Sequence, residues 1–180
     1  MLEWFAEAPD PDAGLFGFRR LSDSLGDTHW YLKTLRDEGQ VAERLAHLLA
    51  TSRYVTDLLE REPQGVRMLG CDLTPLSSEA IAEEMLAAAG RHGDEPDKAV
   101  RTVRAVRRRE LLRIAAGDVL GLTDVADVGA GLSRLTDATL RRALAIAGAA
   151  VRAQRGLASA PTRVAIGAMG GYGGFELSYG

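Results

Sequence analysis

Apolar residues recur at helical spacing along most of this chain. One face of segment 41–50 carries Val41, Leu45 and Leu48, and segment 53–62 repeats the pattern. A longer stripe of the same kind follows in the middle of the chain. The pattern predicts helices over residues 15–25, 30–37, 41–50, 53–62, 78–89, 97–120, 125–132 and 137–155.

Residues that end helices separate these segments and suggest the domain limits. Glycines follow most of the predicted helices, and Pro63 ends one of them because proline cannot continue the backbone hydrogen bonding. Residues 1–13 are acidic and hold two prolines, so we expect a linker there. Residues 14–158 would then form one helical domain.

The character of the chain changes at Pro161. Residues 163–169 read RVAIGAM, a short run with β-branched residues that predicts a strand. The sequence GGYGG follows at residues 170–174, which we call the glycine loop. We therefore expect a mainly α fold, a helical bundle followed at 161–180 by the start of an α/β core. Since the chain stops almost at once, we expect it to be a truncated piece.

Composition and charge exclude several classes of protein. Of the 180 residues, 46% are hydrophobic and only 6% aromatic, a balance that favours helices. The net charge of −3 gives no general attraction to nucleic acid or to an anionic membrane. The most apolar run, 143–151, is too short to cross a bilayer. The single cysteine, Cys71, fits a reducing compartment, so we expect a cytoplasmic protein with neither nucleic-acid nor membrane partners.

The glycine loop has two readings. A strand followed by glycines lets backbone N–H groups approach a phosphate closely, because no Cβ intervenes. The other reading is a turn that needs glycine only for its positive φ angles. Neither GxxxxGK[ST] nor GxGxxG is present, and no HExxH or CxxC motif indicates a metal site.

The segment 98–113 is strongly basic, with seven cationic side chains against Glu110. It is either a face for nucleic acid, ATP or an acidic partner, or a solvated helix face with ion pairs to neighbouring helices. On an ideal helix, Arg107 and Asp118 share a stripe with apolar residues, namely Val100, Val103, Leu111 and Ile114. A charge on a buried stripe is costly unless it is paired. We therefore predict a buried ion pair at Arg107 or Asp118.

Residues 165–180, AIGAMGGYGGFELSYG, resemble the start of the nucleotidyltransferase core in glutamine-synthetase adenylyltransferases. In that family a strand runs into Met-Gly-basic-x-Gly-Gly-x-Glu-Leu-x-Tyr-Gly, and Ser-Asp-x-Asp follows. The matching residues are Met169, Gly170, Gly173, Gly174, Glu176, Leu177, Tyr179 and Gly180. Gly171 departs from the pattern, which has a cation there that could touch a phosphate. Segments 48–69, 107–122 and 132–144 also resemble helical regions of actinobacterial members.

The resemblance implies a function for the whole protein. Members have two related halves, one adding AMP to a tyrosine of glutamine synthetase and the other removing it, and this ending resembles the adding half. ATP and Mg²⁺ would be the cofactors, with phosphate contacts from Gly170, Gly173 and Gly174. Glutamine synthetase and a PII-type signal protein would be the partners. The paired aspartates would follow Gly180, so we expect no catalytic or metal-binding residue within the chain and no activity from it alone.

Two other readings stay open. The chain could be a helical linker or interaction module that docks glutamine synthetase or a signal protein without chemistry of its own. A helical DNA-binding regulator is less favoured, because the arginines have no aromatic residues between them and DNA binding would have to depend steeply on salt.

Overall fold

The computed structural model describes residues 2–26, 28–93, 95–160 and 162–179. Within these ranges most residues are helical, so the mainly α fold class is confirmed. The α-helices are α1 Leu2–Ala6, α2 Pro11–Leu25, α3 His29–Asp37, α4 Gly39–Thr51, α5 Arg53–Arg61, α6 Ser78–Gly90, α7 Pro96–Val119 and α8 Val125–Arg155, and Pro63–Gly70 is a 3₁₀ helix. None of these helices is both long and apolar enough to cross a membrane.

Side-chain caps begin several helices where the sequence places a short polar residue. Asp10 accepts a hydrogen bond from the Ala13 N–H at 3.0 Å, at the start of α2. Ser52 begins α5 in the same way. Ser77 caps α6 by accepting from the Ala80 N–H at 3.2 Å. Each cap satisfies one of the backbone N–H groups that a first helical turn leaves without an intrahelical partner.

Glycines with positive φ end the two longest helices. Gly121 has a φ of 66° after α7, and Gly156 has a φ of 62° after α8. At the first of these ends, the Leu122 N–H donates to Gly117 O at 2.8 Å and the Gly121 N–H donates to Asp118 O at 2.9 Å. This pair of bonds is the Schellman motif, which satisfies the last helical carbonyls and reverses the chain.

The described residues divide into two compact units. One comprises the described residues of 1–74 and 111–124, and the other those of 75–110 and 125–180. In the first unit α4 packs against α1, α2, α3, α5 and the 3₁₀ helix. Leu45, Ala46 and Leu48 on α4 are fully buried there. In the second unit α6 packs along α8.

Helix α8 corrects the prediction of two helices between residues 125 and 155. It is one helix of 31 residues. Hydroxyl side chains in its middle bond to their own helix, since Ser133, Thr136 and Thr139 donate to the carbonyl oxygens four residues earlier at 2.9, 2.8 and 2.7 Å. Hydroxyl groups satisfied in this way do not interrupt the backbone ladder.

The strand predicted at residues 163–169 is wrong, because the structure has no strand in its described residues. This segment is irregular, and Val164 and Ile166 are more than half exposed. Local β-propensity does not suffice for a strand, since a strand needs a partner to satisfy its N–H and C=O groups. Pro161 and Gly180, at the expected limits of the α/β core, lie outside the described residues.

The acidic start of the chain differs from the expected linker. Helix α1 forms within it, and the Phe5 side chain is only 1% exposed. Phe5 packs beside Phe18 of α2, with ring centroids 5.9 Å apart. The buried Phe5 side chain therefore ties this acidic segment to the first unit.

Candidate functional site

The glycine loop folds into a closed turn. Gly170 has a φ of 59°, a left-handed conformation that glycine adopts without strain. The Gly173 N–H donates to Met169 O at 3.4 Å, and the Gly174 N–H donates to Gly170 O at 3.0 Å. The three glycines predicted to contact phosphate therefore lie in one turn.

Hydrogen bonds within the turn decide which backbone donors are open. The Phe175 N–H donates to Tyr172 O at 3.3 Å, and the Glu176 N–H donates to Gly171 O at 2.7 Å. The N–H groups of residues 173–176 are thus all used inside the turn, whereas those of residues 170–172 donate to no other described residue. In this conformation, the donors available to a ligand come from the first part of the glycine loop.

Gly173 and Gly174 are engaged in the packing of the turn. A Cβ atom added to Gly173 would lie 3.0 Å from Ala168 O, and one added to Gly171 would lie 3.2 Å from Glu176 O. Both distances are shorter than ordinary contacts, so a side chain at either position would require the facing backbone to shift by a few tenths of an ångström. Glycine at these positions allows the tight turn whichever ligand the loop binds.

Helix α8 contacts the end of this turn at Gly129. A Cβ atom built on Gly129 would lie 2.8 Å from Phe175 O and 3.2 Å from the Glu176 Cα. Gly129 is buried, and its own carbonyl accepts the Ser133 hydroxyl. Phe175 has a φ of 60°, a conformation that is strained for an aromatic residue. The helix therefore meets the chain where the backbone of the turn is under strain.

Tyr172 provides a second contact with α8. It lies beside Asp137 and Arg141, which form an ion pair at 2.7 Å, and beside a cavity of about 240 Å³. Burial raises the pKa of the Tyr172 hydroxyl, the Asp137 carboxylate raises it further, and the Arg141 guanidinium lowers it. Leu140 and Leu144 line the same cavity. Tyr172 is half-buried, whereas its neighbours in the glycine loop are exposed.

A cluster of several metal-binding side chains is absent from the part of the chain that the structure describes. No group of three or more His, Cys, Asp or Glu side chains comes together there. Mg²⁺ in proteins is held by carboxylate oxygens, with water or phosphate completing the shell.

The buried charge on α7 is not one of the two that we predicted. Arg107 and Asp118 are both half-buried, and neither forms a salt bridge with another described residue. Glu110 is only 3% exposed instead, and its Oε1 accepts a hydrogen bond from the Leu76 N–H at 2.8 Å. Val100, on the expected stripe, is 36% exposed.

The buried face of the first part of α7 is rotated from the expected one. It carries Ala99, Val103, Val106 and Glu110. The spacing of Glu110 from Val103 and Val106 could have revealed it, but a carboxylate is rarely placed in a core from sequence alone.

Several cations of the basic segment have partners. Arg109 pairs with Glu84 of α6, and Lys98 pairs with Glu95 at 2.6 Å. Arg113 Nη1 donates to the Asp72 carbonyl oxygen at 2.6 Å. These contacts favour the reading of a solvated helix face with local ion pairs.

Comparison with known proteins identifies the family of the chain. Residues 42–180 match the model of the family described as glutamate-ammonia ligase adenylyltransferase. The chain belongs to this family. No solved structure matches it. The resemblance drawn from the GGYGGFELSYG segment is therefore confirmed at the level of the family.

Relatives of this adenylyltransferase family match along the whole chain. Each is named a bifunctional glutamine synthetase adenylyltransferase/adenylyl-removing enzyme. The protein of Cutibacterium acnes is 48% identical over 99% of this chain, that of Mycolicibacterium smegmatis is 44% identical over 100%, and that of Streptomyces avermitilis is 45% identical over 100%. The match covers 18%, 18% and 19% of these three relatives, so the chain spans about a fifth of their length.

Proposed function

We propose that this chain is part of an enzyme that transfers AMP from ATP to a tyrosine of glutamine synthetase, with a second activity that removes it. The observation that carries the proposal is the match to relatives of that name along the whole chain, at 44–48% identity in the three compared. The conformation of the glycine loop supports it, because open N–H groups at residues 170–172 suit a phosphate group.

The proposed role of this segment is to contribute a phosphate-contacting loop and to connect it with a helical region. Gly170 and Gly171 would offer N–H donors, whereas Gly173 and Gly174 would hold the turn that presents them. ATP would be the nucleotide. By the resemblance, the paired aspartates for Mg²⁺ would follow the position of Gly180, so these carboxylates would come from elsewhere in the full enzyme, and we expect no AMP transfer by these 180 residues alone.

The proposed partners follow from the same family assignment. Glutamine synthetase would be the protein substrate, and a PII-type signal protein would bind as a regulator. An enzyme acting on glutamine synthetase would work in the cytoplasm, which suits a chain with a single exposed free cysteine.

A helical docking module is the second candidate function. It is favoured by the hydrogen bonding of the turn, since the N–H groups of residues 173–176 are satisfied without a ligand. In this case the segment would bind glutamine synthetase and would leave nucleotide binding to other parts of the protein.

Calorimetric titration of the 180-residue chain with ATP separates the two candidates. For the nucleotide-binding function, Gly173→Val should weaken ATP binding at least about tenfold, equivalent to roughly 1.4 kcal/mol, because its side chain would shift the facing backbone of the turn. Gly167→Val is the matched control, since a Cβ atom there meets nothing within 4 Å, and it should change the affinity less than about twofold.

The same preparation is then mixed with glutamine synthetase. Absence of ATP binding together with clear binding of glutamine synthetase would favour the docking module. Incubation of the chain with glutamine synthetase, ATP and Mg²⁺ should give no AMP-tyrosine by mass spectrometry. Robust transfer would contradict the expectation that the metal-binding carboxylates lie elsewhere.

A further inference from the structure

We propose that helix α8 sets the conformation of the glycine loop, and that Gly129 and Tyr172 are positioning residues for the group that the loop binds. That the bound group is the phosphate of a nucleotide rests on the proposed function. The positioning itself rests on two contacts between α8 and residues 172–176.

The first contact depends on the missing side chain of Gly129. A Cβ atom built on Gly129 would lie only 2.8 Å from the Phe175 carbonyl oxygen and 3.2 Å from the Glu176 Cα. Glycine is disfavoured inside a helix because it loses more backbone entropy than alanine. Gly129 therefore makes the first turns of α8 less stable than alanine would. The close approach of residues 175–176 explains why a glycine lies there.

The contact with Gly129 helps to hold Phe175 in its strained backbone conformation. A positive φ in an aromatic residue persists only where surrounding contacts hold it. Two such contacts are present, the approach to Gly129 and the hydrogen bond from the Glu176 N–H to Gly171 O. If the approach to Gly129 is lost, we expect Phe175 to relax and the hydrogen bond that closes the turn to open.

The second contact holds the other side of the turn. Tyr172 lies beside Asp137 and Arg141, which are two and three helical turns beyond Gly129 on α8. The open N–H groups belong to Tyr172 and the two residues before it. Helix α8 thus contacts the chain at Tyr172, the last residue with an open N–H group, and again at residues 175–176.

The decisive variant is Gly129→Ala, with Gly148→Ala as its control. Both changes place alanine within α8 and raise its helix propensity. At Gly148 the added Cβ would meet only Arg152 Nη1, at an ordinary 3.6 Å. The two variants therefore differ in whether the new methyl group strikes the backbone at residues 175–176.

Amide NMR spectra and limited chymotrypsin digestion of the full chain read out the loop directly. We expect Gly129→Ala to shift the amide signals of Gly170, Gly171, Gly173 and Gly174 and to raise cleavage after Tyr172 or Phe175 about tenfold, at an unchanged or higher melting temperature. Gly148→Ala should leave both readouts at the wild-type level. Equal spectra and equal cleavage for the two variants would overturn the proposal.

A second variant tests the proposal even if Gly129→Ala does not fold. Tyr172→Ala removes the other contact and should move the same glycine signals while the signals of α8 far from residues 129–141 stay in place. If the glycine signals remain unmoved in a folded Tyr172→Ala chain, Tyr172 does not position the loop.

Titration with ATP separates this inference from the proposed function. If the wild type binds ATP, Gly129→Ala should weaken binding at least about fivefold and Gly148→Ala should not, and equal affinities would overturn the positioning of the ligand. If the wild type does not bind ATP but Gly129→Ala still moves the loop signals, the nucleotide-binding function fails while the control of the loop by α8 stands.

Discussion

The substitution Glu110→Ala tests how much the buried carboxylate of α7 contributes to stability. Glu110 is 3% exposed, and its Oε1 accepts the Leu76 N–H at 2.8 Å in the loop before α6. A hydrogen bond to a charged group contributes about 1.5–3 kcal/mol, and the part-buried Leu76 N–H would lose its partner at a cost of up to about 3 kcal/mol. These figures describe overlapping parts of one loss, to which truncation adds a small cavity. We expect the free energy of unfolding to fall by about 2–4 kcal/mol.

Urea unfolding followed by far-ultraviolet circular dichroism measures this change. Glu110→Gln keeps an acceptor oxygen and should cost less than Glu110→Ala. Glu83→Ala is the control, because Glu83 is exposed on α6 and its removal should change stability by no more than about 0.5 kcal/mol. If Glu110→Ala and Glu83→Ala shift the unfolding curve equally, the hydrogen bond between the Leu76 N–H and Glu110 does not stabilise the protein.

Two further predictions concern the first unit. Gly65→Ala should lower the free energy of unfolding by about 1–3 kcal/mol, because the new Cβ would overlap the buried Leu112 side chain. Gly90→Ala should not lower it, because a Cβ atom there meets nothing within 4 Å. Tryptophan fluorescence during urea unfolding measures the effect of Gly65→Ala. Tyr31→Phe should cost about 0.5–1.5 kcal/mol at neutral pH through loss of the 2.9 Å bond between the Ser22 and Tyr31 hydroxyls.

The same Tyr31→Phe change has a pH signature. Burial raises the pKa of Tyr31, an effect that the Ser22 hydrogen bond partly offsets. A folded-state pKa above the unfolded one means that the wild type loses stability as pH rises past about 10, the ordinary value for tyrosine. Melting temperatures measured from neutral pH to above about pH 10 should fall less for Tyr31→Phe than for the wild type. An equal fall of the melting temperature with pH in both proteins would contradict this expectation.

The helical part of the fold could be predicted from local chemistry. The ends of α5, α7 and α8 follow from Ser52, Gly121 and Gly156, because a cap or a left-handed glycine acts on neighbouring backbone groups alone. The prediction divided α8 between residues 132 and 137, where Ser133 and Thr136 are satisfied by their own helix and do not end it.

The sequence by itself determined that this chain is mainly helical, where most helices begin and end, and, through the GGYGGFELSYG segment, which family it belongs to. Only the tertiary structure decided the rest. Residues 163–169 have β-propensity but no partner strand among the described residues, and Glu110 lies in a core position because a backbone N–H from another segment meets it there. The donors of the glycine loop likewise depend on long-range contacts with α8. A helix end needs only its neighbours, whereas a strand, a buried charge and a docked loop need groups that are distant in sequence.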